Sequence, residues 1–429
     1  MSLAPMRQGK DGSVELDLGV LGGQAQRLVV TLERDGKIVG MSSFDAANLN
    51  DPATSLAAHV LEARNTIFAR ELWHELQMES RSLLSYDVKQ YETAIVYTGK
   101  HGFQIKLELL SPSTFLPSEE ALPENLLAES IQITLSLLLE HYHRQQESLR
   151  SRPAPPSQPR SQAQVTCYLL RPIIARIIQM DAIEECTRYI GKLVQSLKHS
   201  KIAETKFELV TIPVAVAEVV KATQGSGPIS PTQALFQGLL QPPWFAIDLT
   251  IMPGHRMSIL GQTYLTPVTT TLYQVNLRAS PQAEIPNTLI DACPPSRDYP
   301  SFKDLREYLN RAVSCAVTNY SHKMLEQLER KGQEKDLQVA DDAGQGHLWQ
   351  KSVIGTSLFT SVAPRRNIRF EVACPEGNPQ LVVSTRVSLP DGSSTSMAEH
   401  IWQSARSGAS ARGIILPSVL SELVKRAYR

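Results

Sequence analysis

Four residues on two segments carry side chains that could bind a pair of metal ions. Glu71 and His74 have the Glu-x-x-His spacing of di-iron carboxylate proteins, and Glu140 and His143 repeat that spacing further along the chain. Residues three positions apart share one face of a helix, from which both can bind a metal ion. A di-metal carboxylate enzyme is therefore one alternative, although its centre also needs a glutamate from each of two further helices.

Other catalytic templates fail at positions that define them. His74 and Glu75 could begin the His-Glu-x-x-His motif of zinc proteases, but position 78 carries Met78 where the second histidine is required. The chain has no Gly-x-x-x-x-Gly-Lys-Ser/Thr loop for nucleotide phosphates and no Gly-x-Ser-x-Gly elbow of a hydrolase. We therefore expect no catalytic residue, no cofactor and no metal ion, and interpret the chain as non-enzymatic.

The segment around Glu71 is predicted to be a helix over about residues 53–84 with two apolar stripes. Successive helical residues are rotated by 100°. One stripe then contains Leu61, Phe68, Leu72, Leu76 and Leu83, and a second, about 120° away, contains Val60, Ile67 and Met78. The first stripe would cover the helix's own sheet, whereas the second needs another helix or another protein.

Three glutamates of this helix also indicate a partner. Glu71, Glu75 and Glu79 repeat at a spacing of four residues. Like charges at that spacing repel each other unless basic groups lie nearby. We therefore expect a second surface, of this chain or of another subunit, against the helix.

Composition limits the class of protein and its partners. The chain has 429 residues with 42% hydrophobic content, which is enough for two or three globular domains. Lys plus Arg and Asp plus Glu both number 43, so direct binding to nucleic acid or an anionic membrane is not expected. The five scattered cysteines form no Cys-x-x-Cys pair, which suits a reducing intracellular compartment. The apolar windows are too short or too interrupted by charge to span a bilayer.

The order of predicted elements gives an α+β fold with two lobes of antiparallel sheet packed with long helices. Asp35-Gly36 predicts a hairpin turn, and Pro172 places the start of a helix near Arg171 because proline is tolerated only in the first turn. The order of strands, long helix, strands and helix returns later, which leaves a structural pseudo-repeat open. We predict a disordered tail (1–12), a first α+β lobe (13–149), a Pro/Ser-rich linker (150–163), a central helical segment (164–243) and a second α+β lobe that ends in helices (244–429).

A local basic segment lies in the second lobe. Arg365, Arg366 and Arg369 are followed by Glu371 in the sequence APRRNIRFE. The favoured interpretation is a solvated strand edge that discourages aggregation. The alternative is a docking patch for an acidic partner.

Two blocks of the sequence resemble the Mediator subunit 17 family. The first is the predicted helix, with Ala63, Arg64, Phe68, Glu71, Leu72, Trp73, Leu76, Glu79 and Arg81, and the second is LLRPI at 169–173. The resemblance extends over most of residues 26–429 and corresponds to the C-terminal half of that family, whose long N-terminal helical region has no counterpart here.

The resemblance implies a non-enzymatic scaffold of the Mediator head module in the nucleus. It implies contacts with subunits 11 and 22 and with neighbouring head subunits, and a connection between activators and RNA polymerase II through the assembled complex. It provides no catalytic residues. The candidate structural or partner-contact residues are Phe68, Glu71, Leu72, Trp73, Leu76, Met78, Ile173 and Ile177.

Overall fold

The structure, a computed structural model, describes most of the chain as two compact units. The described residues are 6–8, 14–16, 25–43, 56–111, 122–151, 167–202, 204–210, 231–252, 255–278, 289–336, 349–361, 365–388, 394–403 and 416–427. The first unit comprises 1–177 and 216–241, and the second comprises 178–215 and 242–429. Within both units, long helices accompany antiparallel sheets, so the predicted α+β class is confirmed. The boundaries between the five predicted segments stay predictions, and residues 152–163 of the predicted linker lie outside the described part.

The first unit is built on a five-stranded antiparallel sheet. Its strands are β3 (Arg27–Arg34), β4 (Lys37–Met41), β5 (Val88–Gln90), β6 (Ala94–Thr98) and β7 (Phe103–Leu110), in the order β4-β3-β7-β6-β5. Asp35 and Gly36 join β3 to β4 with φ angles of 52° and 76°, the left-handed geometry that a two-residue hairpin requires. The predicted hairpin is therefore confirmed. Two short strands, β1 (Met6–Gln8) and β2 (Val14–Leu16), pair with each other, and β1 lies inside the segment predicted to be a disordered tail.

Long helices follow the strands of this sheet. They are α1 (Leu56–Ser80), which continues as a 3-10 helix over Arg81–Tyr86, and α2 (Asn125–Ser151). The next helix, α3 (Leu170–His199), begins one residue before the predicted start at Arg171 and has its first residues in this unit. The short helix α4 (Pro231–Leu240) is held to α3 by a hydrogen bond that Arg176 donates to the carbonyl of Gly238.

The second unit contains two antiparallel sheets. The first has the order β11-β10-β9-β8 and consists of β8 (Lys206–Val210), β9 (Trp244–Met252), β10 (His255–Tyr264) and β11 (Thr270–Arg278). The second has the order β12-β13-β14-β15-β16 and consists of β12 (Trp349–Lys351), β13 (Ser357–Thr360), β14 (Arg365–Ala373), β15 (Gln380–Ser388) and β16 (Ser394–Gln403). Its helices are α5 (Leu289–Ala292), α6 (Phe302–Asp336) and α7 (Leu416–Ala427). Buried residues of α3, α6, α7 and both sheets form one apolar core.

Three expectations about these elements need correction. Residues 394–403 form β16 where terminal helices are predicted, because the segment pairs along the whole length of β15. The arginine-bearing strand β14 is the middle strand of its sheet and not an edge. The segment predicted as helical, 164–243, also contains β8, which pairs with β9.

The two units share an element order but not a sheet connection. In the first unit, α1 joins strands of a single sheet, whereas α6 joins strands of two different sheets in the second. The similarity is therefore one of order alone. No helix in the described part of the chain has the length and apolar character needed to cross a membrane.

Candidate interaction site

The buried face of α1 differs from the predicted stripe in its first half. Leu72, Leu76 and Leu83 are buried as expected, but Leu61 is 52% exposed and Phe68 is half-buried. The prediction for Leu61 is therefore wrong. The inward positions of this half are occupied by small and polar side chains, Glu62, Ala63, Thr66 and Ala69.

Polar contacts explain why this face of α1 turns inward. Arg27, at the start of β3, forms an ion pair with Glu62, and the side chains of both residues are largely buried. The backbone N–H of Gln26 donates to the hydroxyl of Thr66 at 3.3 Å, and Arg70 donates to the side chain of Gln26 at 2.7 Å. Because buried polar groups must be hydrogen-bonded, these partners fix the orientation of α1 against the apolar periodicity.

The second predicted stripe of α1 is partly exposed. Val60 is 47% exposed, Met78 is 49% exposed, and Ile67 is half-buried. Together with Leu61 and Phe68 these residues form an apolar strip, which we call the outer face of α1. Trp73 is half-buried and lies on a different side of the helix.

The charged residues of the two Glu-x-x-His segments do not form a metal centre. The structure brings Glu71 and His143 together, with 3.0 Å between Oε1 and Nε2, in an exposed pair. Glu140 instead accepts a hydrogen bond from Arg144 at 2.6 Å, and His74 is exposed. In the part of the chain that the structure describes, no three His, Cys, Asp or Glu side chains are grouped so that they could hold a metal ion. The di-metal alternative therefore has no support.

Glu79 is the glutamate of α1 whose expected second surface is found in this chain. Its Oε2 accepts hydrogen bonds from the backbone N–H groups of Leu169 at 2.8 Å and Leu170 at 2.6 Å, and its Oε1 accepts one from Arg171 at 3.2 Å. These donors open α3, and the side chain of Glu79 is buried. For Glu79, the second surface expected from the sequence is therefore the start of α3 in the first unit, and not another subunit.

Pro172 completes the hydrogen bonding of this helix start. The first four N–H groups of an α-helix, counted from the N-cap residue, have no partner within the helix. Here they belong to positions 169–172, and proline at 172 has no N–H to satisfy. The single carboxylate of Glu79 therefore satisfies every donor that the start of α3 leaves open.

Burial and hydrogen bonding act in opposite directions on Glu79. Burial raises the pKa of its carboxyl group above the usual value, whereas the three N–H groups and the charge of Arg171 lower it. The positive end of the helix dipole also favours the ionised form. Glu79 thus links the two blocks, 63–81 and 169–173, through a helix cap.

A signal for this cap exists in the sequence. Glu79 falls on the same helical face as Leu72, Leu76 and Leu83, where a lone carboxylate must find a partner. The start of α3 has Leu169 where serine, threonine or aspartate would provide a local cap. The start of α3 needs an acceptor, and the buried carboxylate of Glu79 needs donors. The two features together therefore predict that Glu79 caps α3.

The remaining candidate residues lie in the interior or at its border. Leu72, Leu76 and Ile173 are buried, and Ile177 is half-buried. Ile173 packs on the sheet side, next to Ile95 and Leu107. Their contact with another protein stays a prediction, and only Glu71 and Met78 of the eight candidates are clearly exposed.

Comparisons with known proteins match this chain to subunits of the Mediator complex. The model of a family described as Subunit 17 of Mediator complex matches residues 1–197. The resemblance predicted from the two blocks is thereby confirmed as a similarity to Mediator subunit 17 over these residues. The matched residues, 1–197, differ from the range 26–429 over which the sequence alone indicates the resemblance.

Individual relatives cover only part of the chain and are longer than it. A Mediator of RNA polymerase II transcription subunit 17 from Neosartorya fischeri is 32% identical over 177 residues, which are 40% of this chain and 28% of that protein. The subunit 17 from Aspergillus oryzae is 25% identical over 295 residues, which are 67% of this chain and 45% of that protein. The chain thus spans less than half the length of these relatives.

A solved structure also resembles the chain. The Schizosaccharomyces pombe Mediator head module contains a chain with 15% identity and a TM-score of 0.46, with 68% of this chain and 63% of that chain covered.

Proposed function

We propose that this chain is a non-enzymatic scaffold subunit of the Mediator head module in the nucleus. It organises other head subunits, notably subunits 11 and 22, and through the assembled complex couples activators to transcription by RNA polymerase II. The homology to subunit 17 supports membership of the complex. Neither nucleic acid nor a membrane is a direct partner of a chain with zero net charge.

The outer face of α1 is the observation that carries this proposal. Val60, Leu61 and Met78 leave about half of their surface in water. Completing the burial of such side chains stabilises a complex by about 1 kcal/mol each, half of the value for full burial. Apolar side chains on one side of a helix that are left about half exposed form a surface for protein contact.

The shape of this face fits a helical partner. Eighteen residues separate Val60 from Met78, which corresponds to about 27 Å of helix at 1.5 Å per residue. A partner helix can place apolar residues at intervals of three and four on this face, and it must pass Glu71, which lies between the two ends and pairs with His143 of α2. Subunits 11 and 22, the partners that the resemblance implies, are the candidates to supply such a helix.

Copurification tests the proposal. The full chain is coexpressed with tagged subunits 11 and 22, and the amount of chain recovered with the tag is measured by quantitative mass spectrometry. Met78→Glu and Val60→Glu place a charge in the contact and should lower recovery by about tenfold or more, because a buried unpaired charge is costly. Leu126→Glu is the control, since Leu126 is 77% exposed on α2 in the same unit.

The outcome separates two results. Recovery that falls for both α1 variants and stays constant for Leu126→Glu supports the assignment of the partner surface. Equal recovery of all variants removes α1 from the interface, and no recovery of the unaltered chain with either tagged subunit removes the proposed partners.

A further inference from the structure

The five-stranded sheet of the second unit exposes one face along two of its inner strands, β14 and β15. On β14 every second residue is buried, beginning with Ile368, and the residues between them point to the other side. On β15 the same alternation begins with Leu381. The antiparallel register pairs Arg365 with Ser388, Asn367 with Arg386 and Arg369 with Ser384, and all six residues lie on the outward positions.

These six residues, which we call the donor cluster, have a defined arrangement. Arg386 lies directly across from Asn367, midway between Arg365 and Arg369 on the neighbouring strand. Diagonal neighbours across antiparallel strands are about 7–8 Å apart, within reach of long side chains. Three guanidinium groups can therefore converge above Asn367.

The cluster offers hydrogen-bond donors without a carboxylate among its members. Arginine has five N–H donors and no acceptor, and the asparagine amide and the serine hydroxyls can donate as well. The three arginines are exposed. Arg369 forms an ion pair with Glu371 at 3.0 Å, in which both side chains are more than half exposed, and such pairs bind weakly enough to be exchanged for a better partner.

Two carboxylates on the same face limit what the cluster can bind. Glu371 lies two residues beyond Arg369, and Glu399 of β16 lies opposite Ser384. They repel a ligand that carries a row of negative charges, such as a nucleic-acid strand or a strongly acidic peptide. They leave room for one localised dianion above Asn367.

Apolar residues next to the cluster indicate a protein ligand. Val382 and Ile401 are paired in register on the same face, and Ile401 is 44% exposed. A peptide that crosses the face can therefore place apolar side chains beside a charged group. A single phosphate on a peptide satisfies all of these features, because arginine binds phosphate with paired, charge-assisted hydrogen bonds.

We propose that this sheet face is a binding site for a phosphorylated segment of a protein partner. One phosphoserine or phosphothreonine is held by Arg365, Arg369 and Arg386 above Asn367, and the flanking residues of the segment pack on Val382 and Ile401. The site lies outside α1, so it does not depend on the scaffold contacts proposed for that helix.

Binding of peptide libraries to the full chain tests this site. The probes are labelled nine-residue libraries that share a fixed central residue, which is phosphoserine in one library, serine in a second and glutamate in a third. We expect the phosphoserine library to bind about tenfold or more tightly than either of the others, since serine has no anionic group and glutamate has a smaller charge and one acceptor oxygen fewer than a phosphate. Inorganic phosphate should compete with it.

Variants connect binding to the named side chains. The double substitution R365Q/R386Q should weaken binding of the phosphoserine library by about tenfold or more. Arg386→Lys should have an intermediate effect, because lysine keeps the positive charge but lacks the planar guanidinium group that binds phosphate with two hydrogen bonds. Arg297→Gln is the control, because Arg297 is an almost fully exposed arginine of the same unit outside this face. Unchanged thermal midpoints for all variants show that the fold is retained.

Several results would overturn the proposal. They are equal binding of the phosphoserine and glutamate libraries, undiminished binding by the double variant, a loss of equal size in the Arg297→Gln control, stronger competition by duplex DNA than by a phosphoserine peptide, and no binding of any library.

Discussion

Replacing Glu79 with glutamine isolates the contribution of its charge to the start of α3. The substitution keeps the shape of the side chain but supplies one carbonyl oxygen in place of two carboxylate oxygens. If that oxygen takes the position of Oε2, it keeps the bonds from Leu169 and Leu170, and the new amide group meets the N–H of Arg171 donor to donor. We expect the free energy of unfolding to fall by about 1–3 kcal/mol, the cost of one unsatisfied buried donor and two weakened bonds, less the relief from burying a charge.

Glu79→Ala should cost more, about 3–5 kcal/mol, because all three donors then lose their acceptor and the removed side chain leaves a gap. The assay is urea denaturation followed by circular dichroism, with the slope compared between variants to confirm that the transition is unchanged in kind. Glu75→Gln is the matched control, since Glu75 lies one turn earlier on α1 and the three N–H groups at the start of α3 donate to Glu79 instead, and it should change stability by less than about 0.5 kcal/mol. A cost for Glu79→Gln no larger than that of the control would refute the capping argument.

Three further predictions concern packing and thiol chemistry. Leu76→Ala should lower the free energy of unfolding by about 2–5 kcal/mol because the side chain is fully buried. Met78→Ala should change it by less than about 1 kcal/mol because Met78 is half-exposed on the same helix. Equal costs of the two substitutions in urea denaturation would show that the buried and exposed faces of α1 are misassigned. Gly40→Ala should destabilise the first unit by about 1–3 kcal/mol, because the added Cβ would lie 2.5 Å from the carbonyl oxygen of Glu124. Thermal unfolding measures the effect, and an unchanged midpoint would contradict that close approach. Burial, with Glu75 and Glu79 nearby, raises the pKa of the Cys167 thiol to about 12, so its alkylation at pH 8 should be about a thousandfold slower than in the urea-unfolded chain; similar rates by mass spectrometry would contradict this.

Local signals predicted the parts of the fold that depend on neighbouring residues. Asp35-Gly36 fixed a hairpin because few other pairs adopt two left-handed conformations in succession. Pro172 located the start of α3 within one residue, because a proline is tolerated in the first turn of a helix but not further along it. In both cases the constraint lies within a few residues, so the sequence is sufficient.

Features that depend on distant residues were not predictable in the same way. β16 was expected to be helical because its own composition does not oppose a helix, and its pairing with β15 decides its conformation. Arg386 was not singled out in the sequence because it lies seventeen residues beyond Arg369, and only the register of β14 and β15 brings the two onto one face. The orientation of α1 followed Arg27 and Gln26, which no helical periodicity includes.

The two parts of the cap on α3 are synthesised in a fixed order. Glu79 precedes Leu169 by ninety residues, so a ribosome completes the acceptor well before it begins the helix that needs it. As α3 emerges, an ionised carboxylate already carried by α1 can receive its first turn, and Pro172 leaves no further donor to be satisfied at that end. The order of the two segments along the chain therefore suits a helix that cannot start unaided.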